Sequence, residues 1–590
     1  MIDPISLYKE RKDMFEALLQ KNKKTLYFLS MLRLLVFVAT GFLVYLFFNH
    51  ASLAAILAIV GISVFLFLLK KYVAHKAEQT LNKALKTINE EEIAIGNGTY
   101  LDRYDGEVFN EPTHFFSSDI DLFGRGSLFQ YLNRTGLKEG TQYLVDLLTA
   151  NDITGIKERQ EAVKELSGFT EWRQKYTAIA RIIKSETSCK SISSWLSGYQ
   201  PFIPSAFTWI VTVFGIISIG VIAASSLKLI GVQFVLYWFL LGLAVTLFFV
   251  KRVNDLSAKT SRIKETVQQY ALLLDEIEQM EFKSSLLQSE KAKIESRKAK
   301  ASQIFKTFSA ALDALDNRNN LIIALLGNGL FLWDLRCSLR IEKWILENRE
   351  VVDHWFETVA FFDAFNTLAT FAYNHPSFIY PDLISSDTAL IKAESMGHPL
   401  IPKMERVDSD FFLADTDFLI ITGANMAGKS TFLRSVSLFV LMSNVGLPIC
   451  AARSSYSPIK LITSMRTSDS LTDNSSYFFS ELTRLQFIME HLQKDSYLVI
   501  LDEILKGTNS VDKAAGSKKL IEKLVGMGVP GIIATHDLSL CTIVNSLDNV
   551  KNYFFETEIE NDELYFDYKL KEGVCKNMNA SFLLRKMDIT

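Results

Sequence analysis

Two pairs of long apolar blocks interrupt an otherwise polar, largely helical pattern, and they set the plan of the chain. Tyr27 to Phe48 is apolar apart from Ser30, Arg33 and Thr40, and after Asn49-His50-Ala51 a second apolar run extends from Ser52 to Leu69. Ser205 to Ser226 and Leu229 to Val250 form another pair, joined across Leu227-Lys228. Each block, as a helix, is long enough to cross about 30 Å of hydrocarbon. Four membrane spans in two hairpins are therefore predicted. The first run begins too late and is too long for a cleaved signal.

The charges around the blocks give them an orientation. Lys21, Lys23 and Lys24 precede the first hairpin, Lys70, Lys71 and Lys76 follow it, and Lys251-Arg252 follow the second, while the connecting turns hold at most one lysine. Positive charge stays on the cytosolic side. This predicts a multi-pass protein of the cytoplasmic (inner) membrane, with both hairpins leaving from and returning to the cytosol. Arg33 lies near one end of its span and can snorkel to the interface.

Elsewhere the apolar spacing separates two further regimes. From Asn254 to about Tyr373 apolar residues recur at three and four, as in Leu272, Leu273, Ile277 and Met280, with almost no Gly or Pro, which predicts long antiparallel helices. A break follows at His375-Pro376-Ser377-Phe378-Ile379-Tyr380-Pro381-Asp382, beyond which short β-rich runs alternate with helices in an α/β pattern. The expected divisions are an amphipathic N-terminal helix (1–26), hairpin one (27–69), a soluble segment (76–200), hairpin two (205–250), a long-helix segment (251–385) and an α/β domain (386–590).

Composition adds little to this division. At 590 residues the chain exceeds what one core serves, and roughly three to five modules are expected. A net charge of −3 names no partner by itself. One local run, Glu290 to Lys306, is basic through Lys291, Lys293, Arg297, Lys298, Lys300 and Lys306; such a run is more often a solvated helix face than a ligand site. Cys189, Cys337, Cys450, Cys541 and Cys575 are scattered without metal spacing and read as reduced thiols.

The candidate chemistry lies in the α/β region. Gly423 to Ser430 reads GANMAGKS, a complete G-x-x-x-x-G-K-[ST] phosphate loop, after the apolar run Phe418-Leu419-Ile420-Ile421 and before a helical pattern. Backbone N–H groups from Gly423 through Ala424, Asn425, Met426, Ala427 and Gly428 to Lys429 would cradle phosphates at the positive end of that helix. Lys429 would reach the β and γ phosphates, and Ser430 would sit on Mg²⁺. Downstream, Tyr497-Leu498-Val499-Ile500-Leu501 leads into Asp502 and Glu503. Asp502 would hold the Mg²⁺ shell, and Glu503 would orient and deprotonate the attacking water. A third strand, Gly531-Ile532-Ile533-Ala534-Thr535, ends at His536, in the place of a γ-phosphate sensor.

These segments resemble the MutS family of DNA mismatch repair ATPases. The family's T-G-P-N-M-G-G-K-S-T is similar to Thr422-Gly423-Ala424-Asn425-Met426-Ala427-Gly428-Lys429-Ser430-Thr431, and its L-D-E-I-G-R-G-T-S to Leu501-Asp502-Glu503-Ile504-Leu505-Lys506-Gly507-Thr508-Asn509. Ala534-Thr535-His536 matches its A-T-H, and His398-Pro399 resembles the H-P that opens its ATPase domain. Asn474-Ser475-Ser476-Tyr477-Phe478-Phe479-Ser480-Glu481 resembles G-R-S-T-F-M-x-E, whose serine approaches the nucleotide of the opposite subunit; the resemblance gives that role to Ser476. Upstream, Asp121-Leu122-Phe123-Gly124, Leu132-Asn133-Arg134-Thr135 and Ile156 to Val163, with Arg159-Gln160, resemble the start of the family's helical lever domain.

The apolar blocks and the resemblance together predict a multi-domain chain: transmembrane helical hairpins from the former, and an α-helical lever domain and a C-terminal α/β P-loop (ABC-type) ATPase domain implied by the latter. The resemblance further implies ATP hydrolysis with Mg²⁺, a homodimer through the ATPase domains, and DNA as partner, with contact through the basic helices near Lys291 to Lys306. Departures accompany the matches. Ala424 and Ala427 replace Pro and Gly, and Ala424 supplies an N–H that Pro lacks; Leu505 and Lys506 replace Gly and Arg. The family's G-x-F-x-E wedge, whose Phe stacks on a mispaired base, is not matched, since Met14-Phe15-Glu16 lacks the glycine. Direct mismatch recognition is not expected. An ABC-type membrane transporter ATPase, disfavoured by the lack of L-S-G-G-Q, and a membrane scaffolding ATPase without DNA are the alternatives.

Overall fold

The computed structural model describes residues 3–183, 187–295, 300–385, 389–424, 426–466, 477–560 and 563–575. Helix α1 (Pro4–Leu46) is capped by Asp3, whose carboxylate accepts the Ser6 N–H at 3.2 Å, with Pro4 in the first turn. It packs along α2 (Ala51–Gly96). A Cβ at Gly61 would lie 2.2 Å from the Thr40 hydroxyl, so the hairpin closes on a residue without a side chain.

Next come α3 (Leu128–Leu132), α4 (Lys138–Thr149), α5 (Ile156–Ser167), α6 (Thr170–Ile182) and α7 (Cys189–Ser197). The second hairpin is α8 (Phe207–Ser226) and α9 (Val232–Gln279). α1, α2, α8 and α9 are long and apolar enough to cross a membrane by length and composition. Their apolar windows are only 6 to 22 % buried, so these blocks are not the core of this chain.

The divisions expected at 26/27, between 69 and 76, and at 250/251 all fall inside continuous helices. No Gly or Pro lies between Leu19 and Thr40, Ile62 and Ile95, or Leu243 and Gln279, so nothing stops the helix where the polarity changes. At 1.5 Å per residue α1, α2 and α9 reach about 65–72 Å, more than twice the hydrocarbon thickness. Each therefore carries its apolar half directly into the polar half.

A further apolar segment escaped the sequence reading. α10 (Ser285–Ala292) and α11 (Ala301–Asp316) are followed by α12 (Leu321–Phe331), which at 11 residues is too short to register as a span. It packs on α8 and α9 and bends by 83° into α13 (Trp333–Asn348) at Leu332, whose φ is 50°. A Cβ at Gly242 would meet the Gly329 carbonyl oxygen at 2.2 Å, so α9 and α12 touch backbone to backbone. The Ser218 hydroxyl donates to the Leu330 carbonyl and accepts from the Trp238 indole at 2.7 Å.

α14 (Val352–Asn374) is the buried spine of the soluble part, packed against α4, α5, α6 and α9. It leads into the α/β domain: β1 (Asp382–Leu383), β2 (Ile391–Met396), β3 (Ser409–Leu413), β4 (Phe418–Thr422), α15 (Lys429–Val445), β5 (Arg453–Tyr456), β6 (Lys460–Ser464), α16 (Tyr477–Leu492), β7 (Tyr497–Asp502), α17 (Ser510–Gly526), β8 (Gly531–Ala534), β9 (Val550–Glu560) and β10 (Glu563–Glu572). The main sheet runs β10-β9-β4-β8-β7-β6, parallel except for the edge strand β10. A smaller sheet runs β1-β5-β2-β3. The segment read as the start of the lever docks on this domain: Asn151 exchanges two hydrogen bonds with Leu461, each 2.9 Å, and Arg159 donates to the Asn444 carbonyl at 2.7 Å.

Where the first hairpin meets the helical body, polar side chains are buried together. Glu92 of α2 accepts from Arg134 at 2.6 and 3.1 Å and from the Asn374 amide at 2.8 Å, and the Tyr8 hydroxyl donates to Asn374 at 2.7 Å. Burial pushes the Glu92 carboxyl up, but Arg134 and Asn374 more than offset it and hold it below the usual carboxylate range. Arg134→Met would leave that carboxylate buried without its main partner, and breaking such a pair costs about 3–5 kcal/mol. A clear fall in the thermal unfolding midpoint of the full chain in detergent is expected. Because the folded pKa lies below the unfolded one, the pair contributes fully above the unfolded value and fades as pH falls through the folded value. The gap between wild type and variant should therefore narrow on acidification below the usual carboxylate range, and an equal midpoint at pH 7 would refute the assignment.

Candidate functional site

The site is built at the carboxyl ends of three neighbouring strands. β4, β8 and β7 are almost wholly buried runs of Phe, Leu, Ile, Val and Ala, as interior parallel strands must be, so their polar residues appear only where the strands end. β8 lies between β4 and β7 although it follows both in sequence. The Glu503 N–H donates to the Ala534 carbonyl and the Thr535 N–H to the Ile421 carbonyl, both at 2.9 Å, which locks the three ends in register.

The loop from β4 to α15 turns through Gly423, with φ 150°, and Gly428, with φ 103°, the residue that caps α15. A Cβ at Gly423 would meet the Phe555 carbonyl oxygen at 2.9 Å, so the chain passes close to β9 there. Between them Ala427 is buried, and Met426 has φ 68° with its side chain out in solvent. Asn425 lies outside the described residues. Lys429 is buried and donates to the carbonyls of Gly423 and Ala424, each at 2.9 Å, and its Nζ is 3.3 Å from His536 Nε2. Burial lowers its ammonium pKa from the usual lysine range.

The acidic side faces the same point. The Ser430 hydroxyl donates to Asp502 Oδ2 at 2.6 Å, while Thr431, next on α15, is exposed and gives its carbonyl to the Ser435 hydroxyl. Burial raises the Asp502 carboxyl. Glu503 Oε1 lies 2.7 Å from His536 Nε2, and its other oxygen is 3.5 Å from Lys506 Nζ. The hydrogen bond from His536 pulls the Glu503 carboxyl down to about 2. Glu503 and Leu505 have φ 48° and 58°, conformations that side chains rarely adopt. Glu481 braces the turn that contains them by accepting the N–H groups of Lys506 and Gly507 at 3.2 and 3.3 Å.

A cavity of about 600 Å³ opens beside the loop, lined among others by His398, Ile401, Phe432, Phe555 and Tyr568. Sequence reading singled out His398 only as the opening of the ATPase domain, and Phe555 and Tyr568 not at all. Tyr568 sits at a register shift of the β9–β10 hairpin with φ 52°, and its ring is 3.1 Å from where a Cβ on Gly428 would stand. No motif marks that pairing, which arises from strand order alone. Ser476, with Asn474 and Ser475, lies outside the described residues, as do Arg297 and Lys298. Of the other basic residues singled out, Lys291 pairs with Glu295, Lys293 with Glu290 and Lys306 with Asp275, so that run is largely neutralised on its own surface.

The donor set suits a hard divalent cation carried by a phosphate. Ser430 and Asp502 offer two oxygens on one side, and no cluster of three or more His, Cys, Asp or Glu is present among the described residues. Mg²⁺ bound mainly by phosphates and water needs no more from the protein.

The family model for MutS domain V matches residues 419–583. Among curated proteins, the DNA mismatch repair protein MutS of Methanococcoides burtonii is 34% identical over 220 residues, 36% of this chain and 24% of that protein. MutS protein homolog 4 of Homo sapiens is 32% identical over 205 residues, covering 33% and 22%. The DNA mismatch repair protein MutS of Lachnoclostridium phytofermentans is 31% identical over 253 residues, covering 41% and 26%. The chain thus spans about a quarter of the length of these relatives. The stretch matched by the family model is the one that carries the loop, the Asp502-Glu503 strand end and His536, and it is this C-terminal domain that is similar to the MutS family.

Proposed function

We propose that the chain is a membrane-anchored, dimeric MutS-like ATPase that hydrolyses ATP to ADP and phosphate and couples turnover to movement of its helices. The observation that carries this reading is the meeting of Lys429, Ser430, Asp502, Glu503 and His536 within hydrogen-bonding distance at three adjacent strand ends. In it, the N–H groups of the Gly423–Lys429 loop and the N-terminus of α15 bind the phosphates, and Lys429 exchanges its two loop carbonyls for the β and γ oxygens. Ser430 and Asp502 would hold Mg²⁺, which would neutralise charge on the phosphates. Glu503 orients the attacking water, and His536, between Lys429 and Glu503, is placed to report the γ-phosphate. Ser476 of a second copy would complete each site.

Glu503→Gln should keep ATP binding and lose about a hundredfold or more in turnover, the usual contribution of such a group. Lys429→Ala should lose ATP affinity instead. Steady-state hydrolysis with a fluorescent-nucleotide titration separates the two, and near-normal turnover in Glu503→Gln would sink the assignment.

DNA as partner rests on the relatives, which are named for DNA mismatch repair, and the neutralised run near Lys291 gives it little help. Binding to duplex and branched DNA should weaken with salt along a negative log–log slope, because phosphate contacts release counterions. A flat slope, with no stimulation of hydrolysis by DNA, would favour a scaffolding ATPase without DNA.

Membrane anchoring is supported by four exposed apolar helices with Lys and Arg on one side. Only the turns near His50 and Lys228 would face away from the cytosol. His50→Cys and Lys228→Cys should each react with a membrane-impermeant thiol reagent on intact cells. The native background should be low, since all five cysteines are buried. Protection of both turns, with the protein recovered in the soluble fraction without detergent, would refute the anchoring.

A further inference from the structure

The bend between α12 and α13 creates a second cavity, away from the phosphate loop. α12 packs with α8 and α9, and α13 turns away from it at 83°. If α12 stands with the spans, α13 lies along the cytosolic boundary, where α8 begins at Phe207. Between α13 and the first turns of α8 is a space of about 740 Å³, larger than the one beside the phosphate loop.

Its walls are of two kinds. Arg336 and Arg340, one helical turn apart on α13, and Lys343 supply positive charge, while Val211, Leu339 and Leu346 supply an apolar surface. Among the described residues neither Arg336 nor Arg340 has a carboxylate partner or a side-chain hydrogen bond. Lys343 reaches only the exposed Glu347, at 3.9 Å. The buried acid in this wall, Glu342, is already engaged, accepting the Tyr199 hydroxyl at 3.0 Å and the Phe202 N–H at 2.8 Å. Glu347 lines the cavity as well, so its wall holds three cations against two acids, and neither guanidinium is in an ion pair among the described residues. Guanidinium forks suit phosphate oxygens in pairs. An apolar wall continuous with a membrane helix suits a hydrocarbon chain.

We infer that this cavity binds an anionic phospholipid of the cytosolic leaflet, its phosphate between Arg336 and Arg340 and an acyl chain along Val211 and Leu346. Basic pockets beside spans on the cytosolic side hold lipid headgroups in this way. The inference rests on the membrane reading above.

The test uses the full chain purified in detergent, with phosphatidylglycerol, phosphatidylcholine and inorganic phosphate as probes and native mass spectrometry as readout. One phosphatidylglycerol per chain should bind, at least tenfold more tightly than phosphatidylcholine. Arg336→Gln with Arg340→Gln should lose at least tenfold. Thr208→Trp, which fills the exposed mouth without changing charge, should lose a similar factor. Lys70→Gln with Lys71→Gln, an equal loss of exposed charge on the other hairpin, should change nothing. Equal binding of phosphatidylcholine, an equal loss in the lysine pair, or displacement of the lipid by equimolar inorganic phosphate would overturn the site. A chain that stays in the aqueous phase on detergent phase separation would overturn the membrane reading along with it. One that enters the detergent phase but does not discriminate the lipids would overturn the site alone.

Discussion

The buried Glu92 carboxylate is the constraint on which the arrangement of the helical body turns. Its charge has left water, so each oxygen must find donors inside the protein. Those donors come from separate places: Arg134 after α3 and Asn374 at the end of α14, the latter held in turn by Tyr8 of α1. None can move far alone without stranding a buried polar atom. The residue after Asn374 continues the chain of contacts, since His375 meets the Tyr131 hydroxyl at 3.0 Å and stacks on Phe371 with centroids 4.2 Å apart. Burial lowers the His375 imidazole to about 4, so it stays neutral near pH 7 and adds no further charge to the Glu92–Arg134 pair.

From this point a stiff path runs in both directions. α1 and α2 are single helices from the cluster into their apolar halves, and α9 does the same from the core beside α14. On the other side α14 passes through His375 to β1, while α5 reaches α15 through Arg159. The Gly446 backbone fits against Arg159 so closely that a Cβ there would approach within 2.7 Å. α15 is also the helix whose first turn holds Lys429 and Ser430. A shift of that helix would therefore press on α5 directly, and through a close-packed interior that does not deform continuously. This gives the proposed coupling a physical route.

Local signals made some of this legible in the sequence and left the rest hidden. The phosphate loop, the Asp502-Glu503 strand end and His536 were readable because each lies where an apolar run stops, and parallel strands place such ends together. The four apolar helices were readable because hydropathy needs only composition over about 20 residues. α12 was not, since a largely apolar helix of 11 residues also fits a core, and its packing on α8 and α9 depends on Gly242 and Gly329, far apart in the chain. Divisions drawn where polarity changes fall inside continuous helices, because a helix ends at backbone signals and not where its surroundings change. Phe555 and Tyr568 reach the cavity only because β9 pairs with β4, a tertiary fact. The basic run near Lys291 looked like a charged patch because the carboxylate of Asp275, opposite Lys306, is distant in sequence.

The environment of Glu503 refines the part it would play in the proposed hydrolysis. The His536 imidazole at 2.7 Å and the Lys506 ammonium at 3.5 Å converge on it, and its carboxyl is held near 2. Lys506 stands where the family has arginine, so this replacement keeps a cation at the end of the strand. A carboxylate with so low a pKa is fully ionised near neutral pH but is a weak base, and general-base efficiency falls as the pKa drops away from the working pH. The sequence reading gave Glu503 both orientation and deprotonation of water; in the proposed hydrolysis its low pKa favours orientation. Phosphoryl transfer tolerates that division, since its transition state is loose and asks mainly for positioning and for charge stabilisation on the equatorial oxygens. The backbone at Glu503 and Leu505, both at positive φ and braced by Glu481, fixes where the carboxylate points. Holding a rare backbone conformation in place is how a fold positions one group within a fraction of an ångström.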